Sequence, residues 1–151
     1  MEEHFTKYIA LPNKLIMIGF GSLGQAILPL LFRHIKLTPS QVIIMAKDNL
    51  GIQVANEFGL TLELATLTPE NYLSLLFNKL SKGDFLLNLS VDVSSLALIK
   101  LCQEKGVLYL DASTEPWKGG YINKTLSPLQ RSNYALRAEV LKLKKIKKQR
   151  Q

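Results

Sequence analysis

Residues 15–24 read LIMIGFGSLG, a short apolar run that ends in Gly19, Gly21 and Gly24. An amphipathic stretch, residues 22–34, follows at once, so the order is strand, glycine turn, helix. Each glycine has its own task in that setting. Gly19 permits a tight turn off the strand, Gly21 leaves bare main chain that a bulky anion can approach, and Gly24 lets the helix lie close to the strand. The first turn of the helix then offers N–H groups with no intrahelical partner and the positive end of its dipole. Together these features make a dinucleotide-binding fingerprint, with a pyrophosphate seated on the helix N-terminus.

The first strand is read over residues 14–18. Four more apolar runs follow, at residues 42–45, 61–64, 85–89 and 107–110. The second is apolar throughout, as a strand buried on both faces requires. Helices are expected between the strands. The first carries Ile27, Leu30, Leu31 and Ile35 as its apolar stripe, and Pro29 inside it costs about 3 kcal/mol and predicts a kink. A second covers residues 49–58, and a third runs from Thr68, its N-cap, to residue 80. Ser94 or Ser95 caps a fourth that Gly106 stops, and Ser127-Pro128 opens a last helix. Alternating strands and helices predict an α/β, Rossmann-like, doubly wound and mostly parallel sheet with helices on both faces. The chain divides into a frayed leader (1–13), this domain (14–143) and a basic tail (144–151).

At 151 residues and 47% apolar content the chain has material for one domain with a core. Its single cysteine, Cys102, excludes an internal disulfide and fits a reducing compartment. No run approaches the roughly 18 consecutive apolar residues of a membrane helix, and Met1-Glu2-Glu3 is acidic where a signal peptide is basic. A cytoplasmic protein without membrane attachment is expected. Lys142, Lys144, Lys145, Lys147, Lys148 and Arg150 carry six charges of the net +7, so the rest is close to neutral. No aromatic residues interleave them to stack on bases, so a solvated helix end is expected there rather than a nucleic-acid site.

In open α/β sheets ligands sit beyond the carboxyl ends of the strands, where the strand order reverses. After the second strand come Lys47 and Asp48. Asp48 has the position of the acid that accepts from a ribose, whereas Lys47 beside it would suit a 2′-phosphate. After the fourth strand Asn88, Ser90 and Asp92 either cap the next helix or border the ligand. After the fifth, Asp111, Ser113 and Thr114 lead to Glu115, a carboxylate that can receive an ammonium group, and to Trp117, which either walls a pocket or pins its loop to the core. His4 and His34 lack partners at metal-ligand spacing, and no metal is expected. Cys102 lies on an apolar helix face and reads as packing. From the residues alone, a non-catalytic NAD-binding regulatory module and a methyltransferase compete with a dinucleotide-dependent enzyme, although the three-glycine spacing favours a pyrophosphate ligand.

Three segments go further: GFGSLGQAILPLLFRHI (residues 19–35), LSVDVSSLALIKLCQEKGVLYLDASTEPWKGGY (89–121) and LSPLQRSNYALR (126–137). They resemble the bacterial homospermidine synthases of the saccharopine-dehydrogenase-like group, over about residues 14–143. The resemblance implies an enzyme of polyamine biosynthesis that uses NAD to turn two putrescines into homospermidine and ammonia through imine and Schiff-base intermediates, a transferase with no net redox change. It implies that Gly19, Phe20, Gly21, Ser22, Leu23 and Gly24 hold the pyrophosphate and that Asp48 lies near the adenosine ribose. Ser90, Val91 and Asp92 would border the nicotinamide, and Glu115, Pro116 and Trp117 would face the substrate cavity. Family members are roughly three times longer and form homodimers. This chain therefore corresponds to the cofactor half, a truncated form expected to be inactive alone.

Overall fold

The structure, a computed structural model, describes residues 5–148. In chain order the elements are β1 (Ile9–Ala10), β2 (Leu15–Ile18), α1 (Ser22–His34), β3 (Ile35–Lys36), a 3-10 turn (Pro39–Gln41), β4 (Val42–Ala46), α2 (Ile52–Glu57), β5 (Leu62–Leu64), α3 (Tyr72–Leu76), β6 (Phe85–Asn88), α4 (Ser95–Lys105), β7 (Leu108–Asp111), a second 3-10 turn (Gly120–Ile122) and α5 (Asn133–Lys148).

The main sheet has the order β5-β4-β2-β6-β7, and every pairing in it is parallel. The α/β doubly wound class expected from the sequence is the one observed. Strands β2, β4 and β5 step in one direction and β6 and β7 in the other, so the order reverses between β2 and β6. In β2 all four residues are buried, because it is central and covered on both faces.

Alternating side chains feed two cores. On one face Ile16, Ile18, Met45 and Leu86 pack with Leu76 of α3 and with Leu98, Leu101 and Cys102 of α4. On the other, Leu15, Met17, Ile44 and Leu87 pack with Leu28 of α1 and Ala55 of α2. That second cover stops short of the β7 edge, where Leu108 and Leu110 are 57% and 54% exposed. The amino end of the sheet is tied by Asp84, whose carboxylate is buried. It accepts from Ser81 N at 2.8 Å and Lys14 N at 3.1 Å and pairs with Lys14 Nζ at 3.4 Å.

Several local expectations change. Part of the expected leader is ordered: β1 pairs in parallel with β3, and Tyr8 N donates to His34 O at 2.9 Å. Helix α1 runs through Pro29 as one unit. Gly24 and Leu28 are its fully buried positions, and Ile27 and Leu31 pack half-buried beside them as the spacing predicts; Leu30, expected in the same stripe, is 48% exposed. Helix α3 starts at Tyr72 rather than after Thr68. Asn71 Oδ1 accepts from Thr68 N at 2.8 Å, its amide donates to Thr66 O at 2.9 Å, and Tyr72 N donates to Thr68 O at 3.1 Å, so Thr68 opens one capped turn ahead of the regular helix. Helix α5 starts at Asn133: Ser127 and Gln130 cap a single turn, and Ser132, whose Oγ accepts from Ala135 N at 3.3 Å, caps the helix that follows. Leu136 and Val140, on the half-buried side of α5, lie among its less exposed residues.

Candidate dinucleotide site

The glycine turn connects β2 to α1 and lies against the end of β6. Gly19 has φ +88°, and a Cβ there would stand 2.7 Å from Ser90 N and 2.8 Å from the Leu89 carbonyl carbon. Only glycine tolerates both that conformation and that approach. A Cβ on Gly24 would meet Gly19 O at 2.9 Å and the Phe20 ring at 3.1 Å, which is the close helix–strand packing its place in the motif predicts. At Gly21 nothing lies within 4 Å of such a Cβ. The main chain there is bare and faces open space. Gly21 is also the N-cap of α1, with no side chain bonded to the orphan N–H groups of the first turn.

Around that opening, Ser22 is exposed, and Leu23 is 50% exposed. Phe20 turns inward instead. It is 4% exposed and its ring stands where a Cβ on Gly51 would be, 2.5 Å away, so its contribution to the rim is main chain. Gln25 Nε2 holds Phe20 O at 3.1 Å. Gly51, which makes room for the Phe20 ring, has no spacing signal in the sequence. Asp48 follows β4 and is partly buried, and Leu50 N donates to its Oδ1 at 3.2 Å; Lys47 beside it is exposed.

Across the reversal point, β6 and β7 end in a connected polar set. Asn88 is 1% exposed. Its Oδ1 accepts from Ser90 Oγ at 2.5 Å and Ser90 N at 3.2 Å, and its Nδ2 donates to Tyr109 Oη at 3.3 Å. Tyr109 Oη in turn donates to Asp111 Oδ2 at 2.9 Å. Burial pushes the Tyr109 phenol well above its ordinary range, with the Asp111 charge adding to it, so the hydroxyl keeps its proton. Val91 is 67% exposed, and Asp92 takes φ +63°, which is uncommon for a residue with a side chain.

The loop after β7 is bonded to the start of α4. Ser94 caps that helix, its Oγ accepting from Ala97 N at 3.2 Å. Ser95 is fully buried: its N–H donates to Glu115 O at 2.9 Å and its Oγ accepts from Glu115 N at 2.9 Å. Ser113 Oγ donates to Glu115 Oε1 at 2.7 Å. Burial and the neighbouring Glu115 carboxylate raise the Tyr121 phenol, whose hydroxyl lies 2.6 Å from Asn133 Oδ1 and 3.2 Å from Thr114 O. Trp117 is half-buried with its ring centroid 5.3 Å from that of Tyr72, and it joins the α3–α4 core. It also lines a shallow depression with Leu96, Ile122 and Leu136.

The sequence-selected residues therefore fall in two groups beyond the carboxyl ends of the strands: the glycine turn with Asp48, and Ser90–Asp92 with Glu115 and Trp117. Asn88 and Asp111 were noted from their position after a strand. Tyr109 and Ser95 were missed in this role because each reads as a core or capping residue in isolation. His34 lies away from both groups, in edge-on or tilted contact with Phe5 and Tyr8. His4 and Arg150 lie outside the described residues. Burial pushes the Cys102 thiol up to about 12. Among the described residues no helix is long and apolar enough to cross a membrane, and no group of three or more potential ligands forms a metal site.

Known proteins with this arrangement agree on its origin. Residues 15–151 match the family described as the saccharopine dehydrogenase NADP binding domain. The homospermidine synthase of Blastochloris viridis is 39% identical over 137 residues, covering 89% of this chain and 29% of that protein. The homospermidine synthase of Mesorhizobium japonicum is 37% identical over 145 residues, 94% of this chain and 30% of that one. The crystal structure of the homospermidine synthase of Legionella pneumophila in complex with NAD superimposes with a TM-score of 0.80 at 43% identity, over 91% of this chain and 28% of that one. The chain thus spans about three-tenths of the length of these relatives. It belongs to the saccharopine dehydrogenase NADP binding domain family and is homologous, over that domain, to the bacterial homospermidine synthases.

Proposed function

We propose that residues 14–143 are the NAD-binding unit of a homospermidine synthase-like enzyme acting on putrescine, and that this chain alone does not complete the reaction. The observation that carries the reading is Gly21: bare main chain at the mouth of α1, with open space where a diphosphate would dock. Similarity to a 43% identical protein solved with NAD supports it. In this reading the N–H groups of Ser22, Leu23 and Gly24 hold the diphosphate. The Asp48 carboxylate accepts from the adenosine ribose and repels a 2′-phosphate, so NAD is favoured over the NADP of the family's description, against the pull of Lys47. Ser90, Val91 and Asp92 border the nicotinamide end.

When bound, the nicotinamide supplies a hydride acceptor and donor for carbon next to nitrogen. Glu115 holds a cationic amine through its carboxylate, and Ser113 fixes one of the carboxylate oxygens. Trp117 closes one side of the cavity and excludes water. The contacts that complete the substrate site, and the homodimer, belong in this reading to the part of the family's chain that has no counterpart here. In this reading the protein works in the cytoplasm.

Calorimetric titration with NAD, NADP and S-adenosylmethionine tests the assignment. Saturable binding of NAD, weaker binding of NADP and none of S-adenosylmethionine are expected. Absence of binding by either dinucleotide would overturn it. Incubation with NAD and putrescine is expected to give no homospermidine, and turnover by this chain would refute its inactivity alone.

A further inference from the structure

The loop bearing Glu115 is not fastened to its own strand. It is fastened to the start of α4, immediately after the Ser90–Asp92 segment, and at two places. Ser95 and Glu115 exchange a reciprocal pair: Ser95 N to Glu115 O and Glu115 N to Ser95 Oγ, both 2.9 Å. Three residues further on, Lys118 N donates to Asp92 O at 3.2 Å. Ser95 also stands 3.3 Å from Ser113 O through its Oγ, so one buried hydroxyl addresses both ends of the Ser113–Glu115 turn. A buried donor or acceptor left without its partner is costly, so these bonds hold the two segments in one register.

We propose that Ser95 is a positioning residue. It locks the Glu115 segment to the loop after β6, so that the two ligand-facing loops move as one body and an event at the dinucleotide site is felt at Glu115 and Trp117. This rests on the reading above for what the loops face, but the lock itself is a property of the free protein. A capping role alone does not account for it: Ser94 already caps α4, and the Ser95 hydroxyl points to the other loop.

Trp117 is the sole tryptophan, two residues beyond Glu115, and its emission reports on this loop alone. The test uses the unmodified chain, Ser95→Ala and Ser95→Cys, the last keeping the volume but weakening the hydrogen bonds. Circular dichroism establishes that each variant is folded. In the unmodified protein NAD is expected to shift Trp117 emission. In Ser95→Ala the NAD affinity from calorimetry stays within about threefold while the emission shift is lost, and the Glu115 amide exchanges with solvent about tenfold faster, as loss of one net hydrogen bond implies. Ser95→Cys recovers part of both signals. An unchanged Glu115 exchange rate in a folded Ser95→Ala or Ser95→Cys protein overturns the lock, whatever ligand the protein takes. Failure of the unmodified chain to bind NAD would instead refute the proposed function, and the exchange measurement would still decide the lock.

Discussion

The turn after β2 and the loop after β7 lie beyond the same edge of the sheet and are built on opposite plans. The first is main chain: three glycines, two of them pressed against neighbours and one left open. Its geometry is set by what is missing from the side chains. The second is held by side chains: a buried serine, a carboxylate, a phenol and a ring packed on Tyr72. The first can dock a ligand without rearrangement, because backbone N–H groups at a helix mouth are already oriented. The second depends on every partner being present.

Substitutions separate the two plans. The largest effect is expected for Gly19→Ala, where a left-handed φ and a 2.7 Å approach to backbone combine: about 3 kcal/mol of stability lost, read by urea unfolding. A loss below about 0.5 kcal/mol would mean that the turn relaxes and is not rigid main chain. Asn88→Ala leaves Ser90 N and Oγ without their acceptor and removes a donor from Tyr109, and is expected to cost about 2 kcal/mol in the same measurement. Gly21→Val is the reverse case. Open space and an ordinary φ limit the stability loss to about 1 kcal/mol, the cost of a poorer N-cap, yet the side chain occupies the docking point and NAD affinity falls at least about tenfold, or 1.4 kcal/mol, by calorimetry. Equal losses of stability at Gly19 and Gly21 would erase the distinction between support and docking.

Near neutral pH the smallest effect belongs to Cys102, in α4. Its thiol, raised from 9.0 to about 12, stays protonated in the folded protein while the unfolded chain ionises. Stability is therefore unaffected by this group below about pH 9 and declines between about 9 and 12, since the unfolded state then binds fewer protons. Cys102→Ser removes the thiol's share of that decline in a pH series of unfolding curves, while Tyr109, whose phenol is also raised, keeps a loss of the same sign above about pH 10.

The same contrast governs what the amino-acid sequence disclosed. Glycine spacing and runs such as Val42–Ala46 are local signals, so the turn, the parallel sheet and the opening at Gly21 were all legible. The Asn88–Tyr109 bond joins residues 21 apart and the Ser95–Glu115 bond residues 20 apart, and neither leaves a periodic trace. Tyr109 looks like a core aromatic until its hydroxyl is seen between Asn88 and Asp111. The starts expected at Thr68 and Ser127 share an outcome: each is a capped single turn, with Tyr72 N donating to Thr68 O and Arg131 N to Ser127 O, and the regular helix begins only after it. Spacing alone puts Leu30 inward with Ile27 and Leu31; in the fold Leu28, one turn after the tightly packed Gly24, takes the buried place and Leu30 faces out.

The bare rim of β7 bears on how the protein behaves in a tube. Leu108 and Leu110 offer an apolar strip beside unpaired backbone groups, the kind of border along which copies zip together. A net charge of +7 opposes that encounter in dilute buffer, where screening acts over about 30 Å, and far less at physiological ionic strength, where it acts over about 8 Å. Salt, usually added to keep a basic protein dispersed, is here the agent that lets neighbours touch.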